Sequence, residues 1–166
     1  MFLGGLFKNH WEMEELFTFD LATVMEFGVK LGLATLAGTF IGLEREYKGK
    51  SAGLKTNTLV ALGACTYVLV SLRFMGAPEA DPTRVLGQVV TGIGFLGAGV
   101  ILQKEDKIKG LSTAATIWCS AGAGCLAATS MLIELALLTF LVVVINLAFG
   151  IVDRKIEEKT NNQKDP

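Results

Sequence analysis

The residues of this sequence that could do chemistry are charged side chains set into or beside apolar stretches. Glu26 and Lys30 stand four residues apart in the apolar run that begins at Leu21, a spacing that puts them on one helix face, where they can neutralise each other. An ionised side chain at membrane depth needs such a partner, because stranding it there costs roughly 3 kcal/mol or more. Two settings suit the pair. It can snorkel to the nearer interface, or it can point into a helix bundle toward Arg73, Asp81 or Arg84. At the far end of the same run, Gly42-Leu43-Glu44-Arg45-Glu46 leads into a basic loop. Arg45 and Lys48 read there as interfacial anchors with Glu44 and Glu46 as solvated partners. Alternatively, Glu44 turns inward against the helix start at Thr56/Asn57, where unpaired backbone N–H groups favour a carboxylate. Asn57, Gln88 and Asn146 read as hydrogen-bond partners between helices.

Other chemistries find little support. Cys65, Cys119 and Cys125 all lie in apolar runs, where a thiol packs as a small hydrophobe, and an odd number of such cysteines speaks against a disulfide framework. His10 stands alone, and no nucleophile and base are set beside one another, so neither an enzyme nor a cofactor is expected. Glu and Asp oxygens can hold Mg²⁺ with its waters, but no loop gathers them into a cage. No nucleic-acid partner is expected. Gly92-Ile93-Gly94-Phe95-Leu96-Gly97-Ala98-Gly99 contains the GxGxxG spacing, yet a dinucleotide site needs a strand before it and a βαβ unit around it. Here the string sits inside an apolar run, Val85–Leu102. Gly92, Gly94, Gly97 and Gly99 therefore serve close helix packing, or permit an unwound stretch that lines a cavity. Gly28-xxx-Gly32, Gly38-xxx-Gly42 and Ser120-xxx-Gly124-xxx-Ala128 have the packing spacing too.

The elements that must position these groups are transmembrane helices. Hydrophobic residues make up 51% of the 166-residue chain and charged ones only 19%, against about 25% charged in an ordinary soluble protein. Five runs are long enough, or nearly so, to cross about 30 Å of hydrocarbon: Leu21–Leu43, Thr56–Leu72, Val85–Leu102, Leu111–Thr129 and Met131–Ile151. A soluble bundle would need a polar face on most helices, and the last four runs have almost none. The sequence thus predicts an all-α bundle of five spans over residues 21–152. Residues 1–20 precede it as a leader or interfacial helix, and a short polar tail over 153–166 follows, read as frayed. Eleven basic residues fall in the first and third connections and the tail, against Lys8, Arg73 and Arg84 on the other side. The excess predicts a cytoplasmic C-terminus and, with five spans, an outside N-terminus. Glycine faces beyond what one small bundle needs predict a homo-oligomer, with a dimer favoured. A faint repeat at an offset of 57 residues pairs Gly53-Leu54-Lys55-Thr56 with Gly110-Leu111-Ser112-Thr113, and Gly42 with Gly99.

Three ordered blocks carry a family resemblance. Gly42-Leu43-Glu44-Arg45-Glu46 with Ala52-Gly53-Leu54-Lys55-Thr56-Asn57 is the first. Asp81-Pro82-Thr83-Arg84 with Gly92 through Ile101 is the second, and Gly110-Leu111-Ser112-Thr113-Ala114-Ala115-Thr116-Ile117-Trp118 the third. Together, over about residues 25–150, they resemble the MgtC/SapB family of bacterial inner-membrane proteins. The resemblance implies a multi-pass protein of the bacterial inner membrane linked to growth under magnesium limitation. It implies a regulator that contacts other inner-membrane proteins, the ATP synthase among them, with transport of Mg²⁺ or another small ion or solute as the alternative. It marks Lys30, Glu44, Arg45, Asp81, Arg84 and the glycines of the third run as the functional positions; Glu26, Asn57 and Gln88 are further candidates from the reading of the residues alone. Virulence-associated members carry a soluble cytoplasmic domain after the fifth helix, so this chain reads as a short form.

Overall fold

The computed structural model describes residues 20–75, 81–104 and 107–162; the leader, apart from Asp20, lies outside them. The described residues form α1 (Leu21–Tyr47), α2 (Leu54–Arg73), α3 (Pro82–Val100), a hairpin of β1 (Leu102–Lys104) and β2 (Lys107–Lys109), α4 (Leu111–Ala128) and α5 (Leu132–Asn162). All five helices are long and apolar enough to cross a membrane, as the five runs of the sequence predict. Three ends differ. α1 continues through Glu44-Arg45-Glu46 because these residues are good helix formers, and it stops at Gly49, whose φ of +62° is the left-handed conformation that ends helices. α5 runs on to Asn162 rather than fraying after Ile151, since Asp153–Asn162 contains neither glycine nor proline to break it. The third connection is not a plain loop: Leu102 pairs with Lys109, Gln103 with Ile108 and Lys104 with Lys107 in an antiparallel ladder. Gly110, at φ +94°, turns the chain from this hairpin into α4.

α1, α2 and α4 form the tight centre, because glycines let their backbones meet. A Cβ on Gly38 would lie 2.7 Å from the Asn57 carbonyl oxygen, one on Gly42 2.7 Å from the Leu54 Cα, and one on Gly124 would overlap the Ala61 carbonyl oxygen. The sequence reading of Gly38-xxx-Gly42 and of Ser120-xxx-Gly124 as packing faces is thus observed. Gly28 and Gly32 differ, with nothing within 4 Å of a Cβ at either. Around this centre Ala34, Ile41, Cys65, Val68, Ala123 and Ala127 are buried, and Leu135 and Val142 of α5 close one side. α3 is peripheral: Gly97 is its single buried residue among those described.

α3 begins on Asp81, whose carboxylate accepts hydrogen bonds from the Thr83 backbone N–H at 2.9 Å and the Thr83 hydroxyl at 2.6 Å, with Pro82 in the first helical position that suits it. Those two bonds hold the Asp81 carboxyl below its ordinary range, so the cap stays ionised into moderately acidic solution. The sign follows from linkage: the folded value is depressed, so the cap's contribution is present above the unfolded value near pH 4 and fades as pH falls through the folded one. Replacing Asp81 with asparagine should keep the cap but flatten this acid dependence of thermal melting. Identical acid profiles for the two proteins would refute the assignment.

Candidate functional site

The turn at the basic end of α1 is where the sequence blocks meet. Because α1 passes the nominal membrane boundary as helix, Glu44 and Arg45 point into the bundle from its last turn. Glu44 is buried, its side chain only 5% exposed, and its Oε1 lies 2.9 Å from Nζ of Lys48 one turn on, the favourable order for an i, i+4 pair. The ammonium is close enough for an ion pair but off the hydrogen-bonding direction, and neither Glu44 oxygen has a hydrogen-bond partner among the described residues. Lys48 instead donates to the Asn146 carbonyl oxygen at 2.8 Å, tying α1 to α5. Arg45 is 3% exposed and donates through Nη2 to the Thr113 hydroxyl of α4 at 2.7 Å, while its Nε has no partner among the described residues.

Behind these charges runs a neutral hydrogen-bond chain. Asn57, fully buried, donates from Nδ2 to the Ala52 and Gly53 carbonyls at 2.9 Å each, which closes the loop onto α2. Its Oδ1 accepts from the buried Ser120 hydroxyl at 2.8 Å. Ser120 is nine residues into α4, about 14 Å along its axis, so the polar chain reaches toward mid-membrane. Asn146 donates a long bond, 3.4 Å, to the Thr116 hydroxyl. Thr113, Thr116 and Ser120 thus make a polar stripe at helical spacing on α4, facing α1, α2 and α5.

The placement of the remaining candidates is different. Glu26 and Lys30 pair at 2.7 Å with side chains 67% and 16% exposed, and they share a cavity of about 230 Å³ with Arg73 at the opposite end of the bundle. Asp81 is engaged with Thr83 as the α3 cap, and Arg84 and Gln88 are exposed on α3. Of the four glycines on α3, a Cβ added at Gly97 would lie 3.6 Å from the Ala114 Cβ of α4, whereas at Gly92, Gly94 and Gly99 it would enter open space. The helix is continuous across them, so the unwound stretch is not formed. The carboxylate at the start of α2 is Glu46, not Glu44: its Oε2 accepts from the Leu54 N–H at 3.1 Å. Sequence reasoning placed Glu46 and Lys48 among the solvated anchors and read Ser120 only as a small packing residue. The i, i+3, i+7 spacing of Thr113, Thr116 and Ser120 was the signal available for the stripe.

Chemically, this turn at the basic end of α1 offers a small polar group two carboxylate acceptors and one guanidinium donor. With Glu44, Arg45 and Lys48 ionised, the cluster carries a net charge of about +1, which works against holding a bare cation. Among the described residues no three His, Cys, Asp or Glu side chains gather as metal ligands.

Comparison with known proteins agrees with the three-block reading. The MgtC family model matches residues 31–155. Protein MgtC of Brucella abortus is 46% identical over 113 residues, covering 68% of this chain and 47% of that protein. Protein MgtC of Salmonella typhimurium is 50% identical over 93 residues, 56% of this chain and 39% of that protein. An uncharacterised protein of Synechocystis is 44% identical over 120 residues, 72% of this chain and 50% of its own length. The chain spans about half the length, or less, of these relatives. No solved structure matches it. The family model's match over most of the membrane region, with a relative 46% identical over 68% of this chain, places the chain in the MgtC family.

Proposed function

We propose that this protein is a regulator of the bacterial inner membrane, acting through helix–helix contacts with other membrane proteins under magnesium limitation, with its basic end in the cytoplasm. The observation that supports this reading is α3. It lies against α4 at Gly97 but presents Gly94, Gly99 and the exposed Phe95 outward, and bare backbone is what allows a neighbouring helix to approach in lipid. A second copy of the chain is the simplest occupant of that side, and a different inner-membrane protein is the regulatory one. The buried charges of Glu44, Arg45 and Lys48 favour a second reading, a path for a small ion such as Mg²⁺, although their net positive charge opposes a cation.

Two assays separate the readings. Purified protein in liposomes should carry no ion of a tested panel above protein-free vesicles. In a deletion strain grown at low Mg²⁺, Gly94→Leu and Gly99→Leu should lose complementation by tenfold or more at normal abundance. Each glycine has open space where the new side chain goes, so the single chain itself tolerates the change. Ion flux in the liposomes, with full complementation by both variants, would establish transport instead.

A further inference from the structure

Between α2 and α3 lies an open groove of about 540 Å³, inside the roughly 300–1,000 Å³ range of small-ligand sites. Its walls are apolar, Val60 and Ala64 on one side and Ile93 and Leu96 on the other. At Gly63 and Gly92, which also line it, a Cβ would meet nothing within 4 Å, so the trough is deepened where side chains are missing. Polar groups cluster at one end, where Lys55 and Thr56 open α2 at the basic end of the bundle, and Tyr67 stands toward the other.

We propose that this groove binds one anionic phospholipid, with an acyl chain along the trough and the phosphate at Lys55. Three observations carry the assignment. First, Lys55 is misplaced for its own helix, since a cation in a first turn opposes the helix dipole. Second, no carboxylate among the described residues pairs with it: their ion pairs are Glu26–Lys30 and Glu44–Lys48, and the nearby Glu46 carboxylate is taken by the Leu54 N–H. A basic residue at the head of an apolar trough is complementary to a headgroup phosphate above its own acyl chain. Third, the length fits. Lys55 to Tyr67 is twelve residues, about 18 Å of helix, which is one leaflet of a hydrocarbon core of about 30 Å. A transmembrane helix of another copy would need a groove spanning the full thickness. The site does not depend on the regulatory reading.

The test is native mass spectrometry of the full chain after equilibration with vesicles of phosphatidylglycerol or of phosphatidylcholine. The wild-type protein should retain one phosphatidylglycerol per chain in preference to phosphatidylcholine. Lys55→Gln, a change at an exposed position, should reduce that retention about fivefold, the effect of one basic residue at an anionic surface. Gly63→Leu should reduce retention of both lipids alike, because it fills the trough while improving helix propensity. Equal retention of the two lipids by the wild-type protein would overturn the proposal, and so would unchanged phosphatidylglycerol retention in Lys55→Gln. Dimers that Gly63→Leu converts to monomers at constant lipid count would also overturn it, by showing that a second copy fills the groove.

Discussion

Replacing Gly124 with valine should remove most of the protein from the membrane fraction, and even alanine should lower its melting temperature sharply. A Cβ at this position would overlap the Ala61 carbonyl oxygen and come within 3.0 Å of the Ala64 Cβ. Overpacking a core usually costs about 1–3 kcal/mol because side chains can shift. Here the obstacle is the backbone of a neighbouring helix, which has no alternative rotamer, so the expected loss is at or above the top of that range. The natural control is Gly28→Ala, where nothing lies within 4 Å and the better helix former should be neutral or stabilising. Thermal melting in detergent and abundance in native membranes check both variants. Wild-type melting for Gly124→Ala would mean that α2 and α4 do not touch at this point.

Glu44→Gln is the second change with a large expected effect. It removes the single negative charge from a buried group containing Arg45 and Lys48, and breaking a buried pair by deleting one partner costs roughly 3–5 kcal/mol. Neither cation leaves the site freely: Arg45 is held by Thr113, and Lys48, only 24% exposed, by the Asn146 carbonyl. Adding Lys48→Gln to Glu44→Gln should therefore recover part of the loss, with a coupling of about 0.5–3 kcal/mol in a double-mutant cycle. Thr113→Val should cost less, on the order of 1–3 kcal/mol, by leaving one guanidinium bond unmade. Complementation at low Mg²⁺ should fall with Glu44→Gln. Full complementation at wild-type melting and abundance would show that this carboxylate has neither a structural nor a functional role.

How much of this was legible in the sequence depends on which physical signal each part carries. The five helices are written in composition and run length, which lipid enforces directly, so they could be read without any tertiary knowledge. The contacts of Gly38, Gly42 and Gly124 were legible because four-residue spacing of small residues has a steric meaning of its own. The cluster was legible only in pieces. Asn57 stood out as a polar group at membrane depth and Glu44 as either a solvated partner of the anchors or an inward-turned carboxylate, but their environment depended on a short stretch of geometry no pattern reveals: α1 continues as helix through Tyr47. That continuation turns Glu44 into the bundle and delivers Glu46, two residues later, to the α2 N-terminus. The hairpin between α3 and α4 was missed for a related reason. Two strands of three residues are too short for an alternating pattern to register. The outward direction of Gly94 and Gly99, and the opening of Gly92 into the groove beside α2, were also invisible, because a small-residue run specifies close approach without saying which neighbour approaches.

The peripheral setting of α3 has a mechanical consequence. Within lipid its backbone hydrogen bonds stay closed whether or not it touches the bundle, so weak attachment does not translate into melting of the helix. Any displacement of α3 would move it as an intact rod. The helix leans on the bundle along its length through Leu86, Val89, Ile93 and Val100, all partly buried against the core, and is joined at one end to the two-stranded hairpin and Gly110, while the Asp81 cap at its other end is satisfied locally by Thr83. Any tilt of α3 is therefore coupled to its packing on α2 and α4, and a group seated in the groove between α2 and α3 would bear directly on that packing.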